Sequence, residues 1–380
     1  MKFTLLCPDL VDTPLGGIPT VTRQALRQIE RIADERQIPV EFDIWALHDK
    51  PSSVEDVARA AGLRRSPARF RGFGGSRLAM LLAAARERDG HEFVFTTHIG
   101  VGPVARLLRA RRGKLVQFIH GVECWRHLSL PQRTGLEATD GILSNSRFTL
   151  NRFFEFNPEW RGIPGTVCWL GLNHDLDSNL DGASAPSDSV PSVLIVGRML
   201  GAERYKGHEE LISVWTDVRR FFPTARLDIV GSGDARSEIE ARAERLGHIR
   251  SGAIRFLGRV SYRELRDCYR RTDLFAMPSR GEGFGLVYLE AMAEEKPCIA
   301  STDDAACEVV LGGETGLLVR YGDRPGLARA VVELLGDVDK RRRFGQRGRQ
   351  RLLEHFTEEH FGYRLWNALS PFAPDLRALE

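Results

Sequence analysis

Two carboxylates frame a glycine-rich turn in "MPSRGEGFGLVYLEAM" (Met277 to Met292), with Glu282 just ahead of Gly-Phe-Gly and Glu290 eight positions later. Pro278, Gly281, Gly283 and Gly285 in one short stretch require a backbone that bends sharply and approaches something closely. Gly285 begins a helix-like run, whose first turn offers unpaired N–H groups and the positive end of the helix dipole. That is an anion site. Glu290 falls about 7–8 Å further along the axis, at 1.5 Å per helical residue. Acids this close repel unless hydroxyls or a cation share them. A phosphate at the helix start with hydroxyls at each acid suits a sugar nucleotide, with the ribose at Glu290 and the transferred sugar at Glu282. The plainer alternatives are a solvated helix residue for Glu290 and a turn acid for Glu282.

An anionic leaving group needs cations. In "VGRMLGAERYKGHEE", Arg198 leaves a strand and Lys206 follows across a loop, just before the next helix. Together with the helix start they would neutralise a diphosphate without a metal. Arg204 in the same loop reads equally well as solvent-facing. Glycines follow other strands in the same way: Gly16-Gly17, His120-Gly121, Gly197 and Gly231-Ser232-Gly233. Each alone reads as a plain turn; together, at the ends of strands, they point to a ligand-binding cleft. His120 ends the apolar strand "KLVQFI" and is read as facing that cleft, with His98 a weaker case. Trp125 reads equally as a ligand cover or a core plug. Ser144-Asn145-Ser146 reads first as a capped helix start.

The elements that would position these groups alternate along the chain. "KFTLLC", "VEFDIWAL", "EFVFTTH" and "KLVQFI" are strands separated by amphipathic helical segments, among them "RLAMLLAAARERD" and "GPVARLLRARR". Strands alternating with helices imply right-handed crossovers and a parallel sheet. "NHDLDSNLDGASAPSDSVPS" is polar, rich in Asp, Ser, Pro and Gly, and reads as a linker. The alternation then restarts with "SVLIVGRM", "ARLDIVGSG", "IRFLGRV", "DLFAMPS", "PCIAST" and "TGLLV", followed by a helical tail. The 380 residues thus divide into two domains, each an open parallel sheet with ligands expected at the carboxyl ends of its strands.

Composition narrows the function. A net charge of +3 carries no nucleic-acid footprint, and 42% apolar residues describe an ordinary globular chain. Six scattered cysteines without C-x-x-C fit free thiols in a reducing cytoplasm. There is no zinc spacing, no signal-peptide pattern and no apolar run of membrane-spanning length. The absence of G-x-G-x-x-G and G-x-x-x-x-G-K-[ST] weakens a dinucleotide or P-loop reading. Positive charge is uneven, however: Leu63 to Arg88 is rich in arginine and has no acid before Glu87.

In this order and spacing, "GGIPT", "HGVECW", "SNSRFT", "GRMLGAERYKGHEEL", "VGSGD", "FLGRVSYREL", "PSRGEGFGLVYLEAM" and "ETGLLV" resemble the retaining glycosyltransferases of family four, marked by E-x7-E. The resemblance covers nearly the whole chain. It implies an α/β chain of GT-B fold: two Rossmann-like domains whose parallel sheets face a central cleft. An acceptor-side domain would span 1–172, a linker 173–192 and a nucleotide-sugar domain 193–357, with the C-terminal helix 358–380 crossing back to the first domain. By the same resemblance, His120, Glu282, Arg198 and Lys206 are the catalytic set. Gly16, Gly17, Val260, Gly283, Phe284, Gly285, Leu286 and Glu290 bind the donor. Gly16 and Gly17 close over its phosphate, Val260 marks where main-chain atoms read the base, and Phe284, Gly285 and Leu286 supply amides. Two features depart from the family: Ala305-Ala306 stands where many relatives have Gly-Gly, and the loop from Arg198 to Lys206 is longer than the commonest form.

The implied reaction is transfer of a hexose from a UDP- or GDP-linked donor to a saccharide or polyprenyl-linked acceptor, in bacterial cell-surface or exopolysaccharide assembly. No metal or other cofactor is implied, and no nucleic acid. No carboxylate of the first domain stands out as a nucleophile, which favours same-face attack by the acceptor hydroxyl. The arginine-rich stretch suits attraction to an anionic membrane face, placing the protein in the cytoplasm, at the inner side of the cell membrane; a solvated basic surface serves equally. The competing readings are a sugar-nucleotide epimerase of similar architecture and a catalytically silent nucleotide-sugar binder.

Overall fold

A computed structural model describes residues 2–12, 16–173 and 190–373. Most of the linker read at 173–192, and the end of the tail beyond 373, lie outside the described residues. The chain forms two compact units, one of Met1–Gly171 with Glu358–Glu380 and the other of Leu172–Thr357.

The first unit alternates β1 (Lys2–Cys7), α1 (Gly17–Glu35), β2 (Glu41–Ala46), α2 (Val54–Ala61), β3 (Arg69–Gly72), α3 (Arg77–Arg86), β4 (His91–Thr96), α4 (Gly102–Leu108), β5 (Arg109–Ile119), α5 (Leu130–Leu136), β6 (Gly141–Ser144), α6 (Arg147–Phe156) and β7 (Gly165–Val167). Its seven strands are ordered β3-β2-β1-β4-β5-β6-β7, and every pair is parallel. β1 is buried from Phe3 onward and β5 from Leu115 onward. Strands covered by helices on both faces need such unbroken apolar runs, which made them readable as strands.

The second unit contains β8 (Ser192–Val196), α7 (His208–Phe221), β9 (Arg226–Val230), α8 (Arg236–Arg245), β10 (Ile254–Gly258), α9 (Tyr262–Arg271), β11 (Leu274–Ala276), α10 (Leu286–Ala293), β12 (Cys298–Ser301), α11 (Ala306–Val309), β13 (Gly316–Val319), α12 (Arg324–Gly336) and α13 (Val338–His355). Its sheet runs β10-β9-β8-β11-β12-β13, again all parallel. α14 (Glu358–Leu369) belongs to the first unit, where it packs on α1. There Glu358 accepts from Arg27 Nε at 3.0 Å and Gln28 Nε2 at 3.2 Å, and Gly362 leaves room for the Gln28 side chain.

Three readings of the sequence need correction. "GPVARLLRARR" is not one helix: α4 stops at Leu108, and Arg109 already pairs with His91 as β5 begins. Asp140 holds that segment down, accepting from Arg109, from Lys114 and from the Leu115 amide. The arginine-rich stretch contains a strand, β3, which carried no apolar signal because it lies at the sheet edge. Its Arg69 and Arg71 are also not free surface charges, since Arg69 pairs with Asp43 and Glu87, and Arg71 with Glu87. Among the described residues no helix is long and apolar enough to cross a membrane.

Candidate active site

In the second unit β8 and β11 are sheet neighbours, although β9, β10 and their helices separate them in sequence. The winding reverses there, and open α/β sheets bind ligands in the crevice beyond the carboxyl ends of the strands at such a point. The two loops that leave β8 and β11 carry Arg198, Lys206 and Glu282, which the sequence separates by up to 84 positions (282 − 198).

These charges meet. Lys206 donates to Glu282 Oε1 and lies 3.9 Å from Glu203 Oε2, while Arg198 pairs with Glu203 Oε1. The Lys206, Glu282 and Glu203 side chains are only 13%, 14% and 14% exposed, whereas Arg198 is 61% exposed. Burial works against the Lys206 ammonium, but Glu282 and Glu203 outweigh it and hold its pKa above the ordinary lysine value. The result is an ion-pair cluster in which Lys206, Glu203 and Glu282 are largely shielded from water and Arg198 stands at the exposed edge.

The backbone around it is fixed by close contacts. Gly207 caps α7 at φ 92°, and a Cβ there would sit 2.7 Å from the Pro278 carbonyl oxygen. Gly285 caps α10 at φ 92° with no side-chain cap; the Tyr288 amide closes on the Gly285 carbonyl at 3.1 Å, and those of Leu286 and Val287 ahead of it are available to an anion. The ring of Tyr205 covers Gly281, where a Cβ would come within 2.5 Å of it. Arg204 faces away in ion pairs with Glu209 and Glu238. The longer loop therefore brings Tyr205, and not Arg204, toward the Glu282 turn. Gly231 and Gly233 serve packing: side chains there would strike the carbonyls of Gly197 (1.9 Å) and Met199 (2.2 Å).

Asp304 ties the Glu282 turn from below. It is fully buried and accepts from the Glu282 amide at 3.0 Å, the Ala306 amide at 3.0 Å and Ser279 Oγ. Burial pushes its carboxyl up to about 6, against the pull of those donors. The Ala305 amide donates to the Glu282 carbonyl at 3.1 Å. The Ala305-Ala306 departure is thus a buried pair whose backbone buttresses Glu282. On α10, Glu290 Oε2 accepts from the Tyr269 hydroxyl at 2.8 Å, and burial raises its pKa.

The family model for "Glycosyl transferases group 1" matches residues 190–337, the span that holds all of these groups. The chain is 31% identical over 281 residues to the GDP-mannose-dependent monoacylated alpha-(1-6)-phosphatidylinositol monomannoside mannosyltransferase of Corynebacterium glutamicum, covering 69% of this chain and 71% of that one. It is 36% identical over 291 residues to the N-acetyl-alpha-D-glucosaminyl L-malate synthase of Bacillus anthracis, covering 74% and 75%. The crystal structure of Anabaena HepE with UDP and glucose superposes with a TM-score of 0.76 at 19% identity, over 97% and 99% of the two chains. The chain belongs to the group 1 glycosyltransferases.

The fold of this glycosyltransferase is GT-B. Of its sequence-read residues, Arg198, Lys206, Val260, Glu282, Gly283, Phe284, Gly285, Leu286 and Glu290 lie in the second unit, and Gly16, Gly17 and His120 in the first. Val260 leads from β10 to Ser261, which caps α9 in a capping box with Glu264. Phe284 is buried, its ring 5.8 Å from that of Phe356. Gly16 caps α1, and Gly17 has open space where a side chain would stand.

His120 is nine-tenths buried; its Nε2 donates to the Thr97 carbonyl at 2.9 Å, and its amide donates to Glu123 Oε1. Burial pushes the imidazole down to about 4 despite Glu123 nearby, so the ring is neutral at physiological pH and Nδ1 is its acceptor. His98 instead accepts the Gly100 amide at 2.9 Å. Trp125 packs edge-on to Phe148 within an apolar cluster, and Ser146 caps α6. Sequence reading missed Glu203, Tyr269 and Asp304, while the longer loop pointed to Arg204 or Tyr205, of which the structure brings Tyr205 in. Tyr269 and Asp304 act through partners distant in sequence, whereas Glu203 pairs within its own loop, and the departure noted at Ala305-Ala306 pointed near Asp304.

The three-ligand group Asp43, Glu87 and His91 lies in the first unit, away from these residues, and is already neutralised by Arg69, Arg71 and Lys2.

Proposed function

We propose that this glycosyltransferase transfers a hexose, with retention and without a metal, from a UDP- or GDP-linked donor to a saccharide or polyprenyl-linked saccharide acceptor in bacterial cell-surface or exopolysaccharide assembly. The observation that carries the reading is the shielded Glu203–Lys206–Glu282 cluster, with the exposed Arg198 paired to its edge, beside the start of α10 that no side chain caps. As the diphosphate departs, negative charge grows on its oxygens. Arg198, Lys206 and the α10 amides are preorganised donors for that charge, which is the role a divalent cation fills elsewhere. Glu282 is oriented by Lys206 and Asp304 toward the transferred sugar, and Glu290, fixed by Tyr269, takes the ribose hydroxyls. His120, neutral, accepts from a sugar hydroxyl through Nδ1. The mannosyltransferase relative, named for GDP-mannose and a phosphatidylinositol monomannoside, supports a sugar-nucleotide donor and a lipid-borne acceptor.

Action at the inner face of the cell membrane fits α3, which exposes Leu78 (69%) and Leu82 (53%) one turn apart beside the exposed Arg77 and Arg86. Sedimentation with anionic vesicles at low and high salt tests it; no binding at either salt removes the membrane from the reading.

The deciding experiment incubates the chain with a panel of UDP- and GDP-sugars, with and without acceptor extracts, and follows nucleotide release. Release that needs acceptor is expected. Conversion of the sugar nucleotide without release would mark an epimerase, and binding without turnover a silent binder. NMR of the product fixes the anomer: a beta linkage from an alpha donor overturns retention. Loss of turnover in chelator overturns the metal-free step.

A further inference from the structure

We infer that the first unit carries a second anion site, at the end of its sheet opposite His120, that takes a phosphate- or diphosphate-bearing group. A cavity of about 370 Å³ opens there, lined by Arg88, Arg106, Arg109 and Arg111, with Asp89 and Glu137 as its acids. Asp89 just precedes β4, Arg109 begins β5 and Glu137 precedes β6, so the cavity lies at the amino-terminal edge of three parallel neighbours. β5 spans Arg109–Ile119, and at about 3.3 Å per residue it separates this edge from His120 by roughly 30 Å. None of the donor-site residues proposed above lines it.

The charges of this cavity are unevenly used. Arg106 is anchored by Glu137 and the Thr134 carbonyl, and Arg109 by Asp140 and the Gly113 carbonyl. Arg88 reaches its neighbour Asp89 at 3.5 Å. Arg111 has no ion pair or side-chain hydrogen bond among the described residues, and its side chain is exposed. Four guanidiniums against two carboxylates leave the lining with a net charge of +2 (4 − 2).

Helix ends explain part of this charge. Arg106 sits in the last turn of α4, where a cation complements the helix dipole. Arg111 sits on β5 and has no such reason. It is carried by a bulge: pairing slips from His91–Arg109 to Phe93–Lys114, so β5 spends extra residues here and turns Arg111 and Arg112 outward. Arg106 and Arg109, each anchored by an acid and a carbonyl, stand beside the exposed Arg88 and Arg111, and this set fits a phosphate that is gripped bidentately on one side and closed over on the other. Inorganic phosphoanions and phosphorylated lipid headgroups share that chemistry.

The probe is inorganic pyrophosphate, titrated calorimetrically into the full chain carrying Arg198→Ala and Lys206→Ala, so that the proposed donor site does not contribute. Saturable binding is expected, and Arg88→Ala with Arg111→Ala should weaken it at least about tenfold at unchanged Tm. Arg111→Glu alone, at an exposed position, is the second variant should the pair fail to fold; it should abolish binding. No binding to the starting chain, or equal binding after either substitution, overturns the site. Sulfate competing as well as pyrophosphate overturns its phosphate chemistry. Phosphatidylcholine vesicles with and without phosphatidic acid separate the sources. Phosphatidic-acid-dependent sedimentation that pyrophosphate displaces and Arg111→Glu removes marks a headgroup ligand; pyrophosphate binding without it marks a free one.

Discussion

The loop after β5 and the loop after β11 leave parallel sheets that share the order 3-2-1-4-5-6, yet they treat charge in opposite ways. After β5, His120 is neutral with its Nε2 spent on Thr97, and Glu123 is spent on the His120 and Gly121 amides. At the turn after β11, Lys206 is largely shielded from water and held charged by the Glu282 and Glu203 that it faces. Both loops sit where an open sheet places its ligands, so position alone does not decide chemistry. The neighbours do. Burial among carbonyls and apolar rings removes a charge, while burial among opposite charges keeps it. The first loop is therefore suited to orienting hydroxyls and the second to stabilising a departing anion.

Removing a retained charge should have the largest effect. Lys206→Ala leaves Glu203 and Glu282 facing each other and takes a donor from the leaving group, so kcat should fall about 10²–10³-fold. Lys206→Arg should recover part of it. Steady-state kinetics giving an alanine variant within tenfold of the parent would break the contrast between the loops.

The suppressed charges should appear in stability. His120 and His208 are both pushed down to about 4 by burial from the ordinary 6.5. Between those values the unfolded chain binds protons that the folded chain refuses, so stability falls as pH drops from about 6.5 toward 4, by on the order of 3 kcal/mol per histidine. Asp304, raised to about 6, opposes this over its own window, because the folded chain keeps that proton as pH rises from about 4 to about 6. Two histidines outweigh one carboxyl. Tm should therefore decline on acidification, and a flat Tm over that range would mean that these rings are protonated in the folded chain.

Asp304→Asn should have a smaller effect. It puts an amide group among the Glu282 and Ala306 N–H donors, costing about 1–3 kcal/mol for the unsatisfied partner and loosening Glu282. A severalfold rise in donor KM with a lower Tm is expected; unchanged kinetics would show that Glu282 does not need this support. Tyr269→Phe should be smallest. It removes one hydrogen bond to Glu290, worth about 1 kcal/mol, and should raise donor KM about fivefold, more at acidic pH because Glu290 loses a bond that favours its ionised form.

The chain's alternation of apolar runs and amphipathic segments determined much of the architecture. A strand covered on both faces has to be apolar throughout, so the central strands β1, β5 and β8 were legible from composition. The edge strands β3 and β7 were not, because an edge is half solvated and needs no such run. Glycines, a proline and paired acids marked the Glu282 turn, since positive φ and close backbone approach restrict which residues are allowed. Tertiary structure alone decided the rest. Lys206 against Glu282, Tyr205 over Gly281, Tyr269 at Glu290 and Asp304 under Glu282 are partnerships that no local pattern encodes. The protonation of His120 follows from them in kind: a pKa is set by the groups packed around a side chain, and the sequence does not record which groups those are.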